Sequence, residues 1–165
     1  MDNLLTELPY GLPGKIYRSP LPFSPLFDPN GRVLDAYVMK SVDVIVMLTT
    51  EEEVRDLTGI DLAQRYQSLG FRLIHIPIRD FSIPVEGALV KPIGKILEAA
   101  QKGKKIVIHC HAGLGRTGIV TACLAKAVFG MDGEQAMAWV RKYIPHAVET
   151  KEQMAYIHSF KWKED

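Results

Sequence analysis

The sequence predicts a single α/β domain, with a mainly parallel central sheet of about four to five strands flanked by helices and a helical C-terminal third. Three observations predict it. Apolar, β-branched runs VDVIVML (42–48), FRLIHI (71–76) and KKIVIHC (104–110) alternate with helix-patterned segments, and crossovers of this length imply right-handed connections and parallel pairing. After the last run, three helical stretches follow with no further strand signal. The 165 residues, 47% hydrophobic, suffice for one well-packed core, so residues 1–165 read as one domain.

In chain order, residues 9–31 hold six of the ten prolines among glycines and serines, so residues 1–31 read as a Pro/Gly-rich segment packed on the domain. At most a short strand is expected there, at 15–18. Residues 32–40 can form a short helix, and the β-branched run 42–48 reads as a buried strand. Thr58 or Asp61 can cap a helix running to Leu69 and ended by Gly70. The strand at 71–76 stops at Pro77, and IRDFSIP is a loop leading to a helix over about 85–102. The third strong strand, 104–110, precedes helices expected at 117–129, 133–143 and 150–162, separated by GMDG and IPHAVE.

The net charge of +1 gives no global electrostatic signature, so neither nucleic acid nor an anionic membrane is expected as a partner and any anion site must be local. Two cysteines make no disulfide framework, and MDNLLTELPYG has neither a basic leader nor an apolar core of signal-peptide length. No apolar run is long enough to span a bilayer. A cytoplasmic monomer is the expectation.

The segment HCHAGLGRTG (109–118) lies where the third strand ends and a helix begins, the position at which parallel sheets bind ligands. Gly113 and Gly115 let the backbone curl until successive N–H groups point inward, and the helix beginning near Arg116 adds its positive end. Arg116 supplies a planar fork of donors that can hold two oxygens of a tetrahedral oxyanion. Thiols beside cations and helix N-termini ionise readily, so Cys110 is expected to act as a thiolate nucleophile on a bound phosphate, forming a cysteinyl-phosphate. Thr117 can donate its hydroxyl to that sulfur or serve only as a cap. His109, at the buried strand end, can hold the loop's shape from behind.

This loop, Cys-x5-Arg followed by Thr-Gly, resembles the signature of the cysteine-dependent protein tyrosine phosphatases. It is most similar to the small atypical dual-specificity branch and to the related proline-directed cell-cycle phosphatases. RDFSIP, thirty residues upstream of the cysteine, and PHAVETKEQ downstream resemble that branch as well, and the likeness runs over 42–160. GKIYRSPLP resembles it loosely. The resemblance implies a phosphatase-like fold and a set of roles. Cys110 would be the nucleophile, and His111, Ala112, Gly113, Leu114, Gly115 and Arg116 the phosphate-binding loop. Asp80 would be the general acid and then the base, and Gln153 would help place the attacking water. It implies no metal and no other cofactor, since backbone N–H groups and the arginine supply the electrostatics. The implied substrates are phosphorylated proteins carrying phosphotyrosine, with phosphoserine and phosphothreonine admitted by a shallow pocket. Phosphoinositides or other small phosphate esters are the alternative, opposed by the lack of lysine inside the loop.

Several residues carry plainer readings. Glu86 and the run Glu51–Glu53 rival Asp80 as the acid, but a charge run ahead of a helix reads as a solvated N-terminus. His75, His109 and His111 lack the spacing of a zinc site. Cys123, Trp139 and Trp162 read as core residues of the C-terminal helices. Two other activities use the same residues: a phosphate-binding module without turnover, and an arsenate reductase or sulfur transferase that would employ Cys123.

Overall fold

The computed structural model describes residues 4–162. Its elements run β1 (Thr6–Leu8), β2 (Lys15–Ser19), α1 (Val33–Met39), β3 (Val44–Met47), α2 (Glu51–Thr58), α3 (Leu62–Ser68), β4 (Arg72–His75), α4 (Val90–Gln101), β5 (Lys105–His109), α5 (Gly115–Phe129), α6 (Gly133–Tyr143) and α7 (Lys151–Ser159). The five strands form one sheet in the order β1-β2-β5-β3-β4. β2, β5, β3 and β4 are parallel and β1 is antiparallel to β2, so the predicted α/β architecture is observed.

The register aligns the strand ends. Ser19 of β2 and Met47 of β3 both lie opposite His109 of β5, and Met47 lies opposite His75 of β4. Whatever follows these residues therefore emerges along one edge, with Cys110 in the middle. Alternation along the strands splits the core into two layers. Val44, Val46, Ile106 and Ile108 pack with α4, α5 and the C-terminal helices, while Ile45, Met47 and Val107 pack with Leu34, Tyr37, Val54 and Tyr66 on the opposite face. Helix α5 is enclosed from Gly115 to Ala125, which makes it the central helix of the C-terminal third. At Gly118 an added Cβ would stand 2.6 Å from the backbone nitrogen of Val148, so glycine there lets the segment before α7 close over the start of α5. No helix among the described residues is long and apolar enough to cross a membrane.

Four expectations need correction. Residues 1–31 do not only lie on the domain: the short strand expected at 15–18 forms, as β2, inside its sheet, and it is joined by the three-residue β1, which has too little pattern to announce itself. The run Glu51–Glu53 opens a helix of its own, capped by Thr50 Oγ1 accepting from the Glu53 N–H at 3.1 Å, ahead of the expected helix, which Asp61 caps as one of the two candidates. The helix expected from about residue 85 starts at Val90, because Gly87 turns the chain at φ 78°. The last helix stops at Ser159, before Trp162.

Candidate active site

Cys110 directly follows β5 and is 2% exposed. Its Sγ accepts a hydrogen bond from Thr117 Oγ1 at 3.2 Å, so the threonine hydroxyl serves the sulfur and not only the helix end. Between them the chain makes a tight loop before α5 begins at Gly115, two residues earlier than expected. Gly113 is the residue that permits the loop. Its φ is +80°, and an added Cβ would stand 2.8 Å from the carbonyl oxygen of Ser19. Only glycine meets both conditions without strain. The Leu114 carbonyl accepts from the N–H groups of Gly118 and Val148, tying the loop to α5 and to the C-terminal segment.

His109 braces the loop from below. One ring nitrogen, Nδ1, is 3.1 Å from the carbonyl oxygen of Cys110, and the other, Nε2, is 2.9 Å from the Tyr66 hydroxyl. A carbonyl only accepts, so Nδ1 carries the proton and Nε2 accepts from Tyr66. Burial is the main cause that holds His109 down at about 4, opposed by its bond to the Cys110 carbonyl and aided by the Arg116 and His75 charges. The ring is neutral at physiological pH.

His111 does not face a metal with the other histidines. Its Nε2 is 3.0 Å from Ser24 Oγ, its ring meets Phe27 edge-on at 5.0 Å, and His75 Nε2 is spent on the Thr49 carbonyl at 2.7 Å. Ala112 and Leu114 are half-buried, Gly115 buried.

Arg116 is only 1% exposed, and its fork is held end-on: NH1 and NH2 donate to the two carboxylate oxygens of Glu53 at 2.7 and 2.8 Å. NH1 also donates to the Ile78 carbonyl at 2.8 Å, and NH2 lies 3.1 Å from Asp80 Oδ1. Nε is buried and has no hydrogen-bond partner. Burial pulls this guanidinium down, but the Glu53 hydrogen bonds and the charges of Cys110, Glu53 and Asp80 outweigh it and hold it above its ordinary value. Nε and NH2 form one edge of the guanidinium, the edge that can grip two oxygens of a phosphoryl group side-on. Glu53 holds the opposite end; on this edge Nε has no partner and Asp80 Oδ1 stands at NH2.

Asp80 is half-exposed, and its Oδ1 also accepts from the Phe81 N–H at 3.0 Å, where Phe81 takes a left-handed φ of 60°. Glu53, Asp80 and His111 bring donor atoms within 4.8 Å of one another, but both carboxylates already serve Arg116, so a cation there competes with the guanidinium. Gln153 is fully buried. Its Oε1 accepts from the Glu149 and Thr150 N–H groups, and its Nε2 donates to the Ser82 carbonyl at 3.2 Å. It therefore ties α7 to the loop carrying Asp80. Burial pushes the Cys123 thiol up, which removes it as an ionised partner for Cys110.

The arrangement contains residues that sequence reasoning did not single out, Tyr66, Ser24 and Phe27, and it gives Glu53, read there as part of a solvated helix start, a place against Arg116. Glu53 had a visible signal, since Thr50-x-x-Glu53 has the form of a capping box. In a full box the glutamate would turn back to the Thr50 N–H. Here its carboxylate turns to Arg116 instead.

A family model described as the polymorphic toxin system DSP-PTPase phosphatase matches residues 31–127. The chain belongs to that family, within the cysteine-based dual-specificity phosphatase superfamily. Among solved structures, the active form of Tk-PTP is similar at 30% identity and a TM-score of 0.78, covering 95% of each chain. A kinase associated phosphatase whose catalytic-site cysteine is substituted by serine shares the fold, at 22% identity and a TM-score of 0.86 over 94% of this chain and 92% of that one. Mouse protein tyrosine phosphatase domain-containing protein 1 is 29% identical over 99 residues, 60% of this chain. The chain spans only 13% of that relative's length.

Proposed function

We propose that the protein hydrolyses phosphomonoesters without a metal, through a cysteinyl-phosphate on Cys110. The observation that carries this reading is the buried, unpartnered Nε of Arg116, at the edge of a guanidinium that Glu53 holds from the other side. A buried donor left without a partner is costly, and a phosphoryl oxygen relieves that cost.

In the first step Cys110 Sγ attacks phosphorus, the S–P bond forms and the bond to the ester oxygen breaks, while Asp80 gives its proton to the leaving oxygen. In the second, water attacks phosphorus, Asp80 takes a proton back, and the S–P bond breaks to return the thiolate, met by the Thr117 hydroxyl. Arg116 and the backbone N–H groups of the loop are the donors that this reading assigns to the charge spreading over the equatorial oxygens. The 3.1 Å between Asp80 Oδ1 and Arg116 NH2 supports this role for Asp80. Gln153 acts as a positioning residue, holding the Asp80 loop through Ser82.

The substrate class is phosphorylated protein, phosphotyrosine together with phosphoserine and phosphothreonine. A cleft of about 570 Å³ opens between His111, Asp80 and α2, and the chain after Asp80 exposes Phe81, Ile83 and Val85, apolar side chains suited to a polypeptide. The test is turnover of para-nitrophenyl phosphate in EDTA. Inhibition by vanadate and complete loss in Cys110→Ser are expected. Turnover that needs a divalent metal, or that survives Cys110→Ser, refutes the reading.

A further inference from the structure

Arg18 sits in β2 opposite Ile108 of the neighbouring β5, two residues before Cys110. Its guanidinium lies against the phosphate-binding loop: an added Cβ on Gly113 would stand 3.2 Å from Arg18 Cζ. Nε of Arg18 is buried and makes no hydrogen bond, and no carboxylate pairs with this guanidinium among the described residues. Asp28 lines one cleft with this guanidinium but makes no ion pair with it: both Asp28 oxygens are turned to the N–H groups of Phe23, Arg32 and Val33. Burial pulls the Arg18 guanidinium down, while the Cys110 and Tyr37 charges oppose the shift. A buried donor such as Arg18 Nε, left without a hydrogen-bond partner, is costly.

The same guanidinium lines a cleft of about 410 Å³ with Phe27, Asn30, Arg32 and Ala112. Ala112 belongs to the loop, so this cleft borders the reacting centre. The edge-on pair of Phe27 and His111 divides it from the cleft on the Asp80 side. The two sides differ in charge. Glu52, Glu53, Asp56 and Asp80 outnumber Arg79 on one, where a second anion is repelled, and Arg18 and Arg32 outnumber Asp28 on the other.

We propose that the Arg18 cleft is a second anion subsite, in which Arg18, with Asn30, takes a second phosphoryl group of a substrate whose first lies over Cys110. The proposal rests on the phosphatase reading above. The chemistry recognised is a bisphosphorylated monoester, and both a small bisphosphate and a doubly phosphorylated peptide present it.

The test measures kcat/KM of the full chain on phenyl phosphate and on the 1,2-, 1,3- and 1,4-phenylene bisphosphates. A parallel arm compares peptides with phosphotyrosine alone and with an added phosphoserine at one to three residues' spacing. A charge-assisted contact predicts a preference of about ten- to a hundredfold for one bisphosphate spacing, carried mostly by KM. Arg18→Met and, separately, Asn30→Ala are expected to shrink that ratio, and the arm in which the preference appears identifies the source. The proposal is overturned if neither arm shows a preference above the statistical factor of about two. It is equally overturned if Arg18→Met lowers single and double phosphates alike, which makes Arg18 only a support for Gly113. If phenyl phosphate is not turned over, the phosphatase reading fails, and calorimetric binding of the same single and double phosphates still decides the subsite.

Discussion

Glu53→Gln tests the reasoning about Arg116 most directly. The glutamate makes two contacts of 2.7 and 2.8 Å to a guanidinium that is 1% exposed, and is itself 17% exposed. Glutamine preserves the shape and one acceptor, but sets an NH2 group against an arginine donor and removes the charge. Stripping one partner from a buried ion pair costs about 3–5 kcal/mol. The Ile78 carbonyl and Asp80 still hold Arg116, and Glu53 is partly solvated, so a loss of about 1–3 kcal/mol in unfolding free energy is expected. The loss in kcat/KM is expected to be of similar size, about ten- to a hundredfold, because a clamp displaced by about 1 Å loses transition-state contacts. Inorganic phosphate inhibition weakens in parallel.

Urea unfolding, kcat/KM on an aryl phosphate and the phosphate inhibition constant together read the outcome. The opposite picture is a glutamate that competes with phosphate for the arginine, in which case removing its charge tightens phosphate binding and raises kcat/KM. An unchanged or increased kcat/KM in Glu53→Gln therefore refutes the positioning role. Glu53→Asp keeps the charge but is one methylene short of the fork, and is expected to fall between glutamine and wild type.

Tyr66→Phe leaves His109 Nε2 buried without its donor and should cost about 1–3 kcal/mol in denaturant unfolding, where an unchanged midpoint contradicts the assigned bond. His109 is held at about 4 against an ordinary 6.5, so the unfolded chain takes the proton first. Its contribution is constant above pH 6.5 and is lost as pH falls through the window from 6.5 to 4, about 3 kcal/mol in all, so His109→Asn should flatten the acid slope of stability against pH. Asp80→Asn should lower kcat on alkyl phosphates far more than on a good leaving group such as para-nitrophenol and should remove the alkaline limb of the rate profile; unchanged limbs mean that another group is the acid. Gly113→Ala pushes a methyl to 2.8 Å from the Ser19 carbonyl in a left-handed conformation, and a fold loss of activity below about two would show that the loop's shape is not constrained as described.

The parts of the site written in one continuous stretch were legible. Cys110, the glycines, Arg116 and Thr117 sit where a strand ends and a helix starts, and local pattern carries that. Asp80 and Gln153 were reached only through resemblance, and the structure brings both to the same edge by different means: one contacts Arg116, the other ties down the loop at Ser82. Glu53 was misread because three adjacent carboxylates look alike in sequence, and only the turn of α2 selects one of them. Tyr66 and Arg18 depend on long-range pairing: on which face of β5 α3 packs, and on β2 lying next to β5. No spacing rule contains that information.

Strand order is what gives the candidate site its two-sided charge. β5 lies between β2 and β3, so the chain leaving β3 and the chain leaving β2 must flank Cys110 from opposite sides. From the β3 side comes α2, with its carboxylates beside Arg116, and the segment after β4 adds Asp80 to that side. From the β2 side come Arg18 and then the loop of Ser24, Phe27 and Asn30, whose contact with His111 sets the dividing wall. Each flank is therefore tied to the loop by a different residue, Glu53 through Arg116 and Ser24 through His111. Changes to one flank should alter phosphate clamping, and changes to the other should alter which second group the substrate carries.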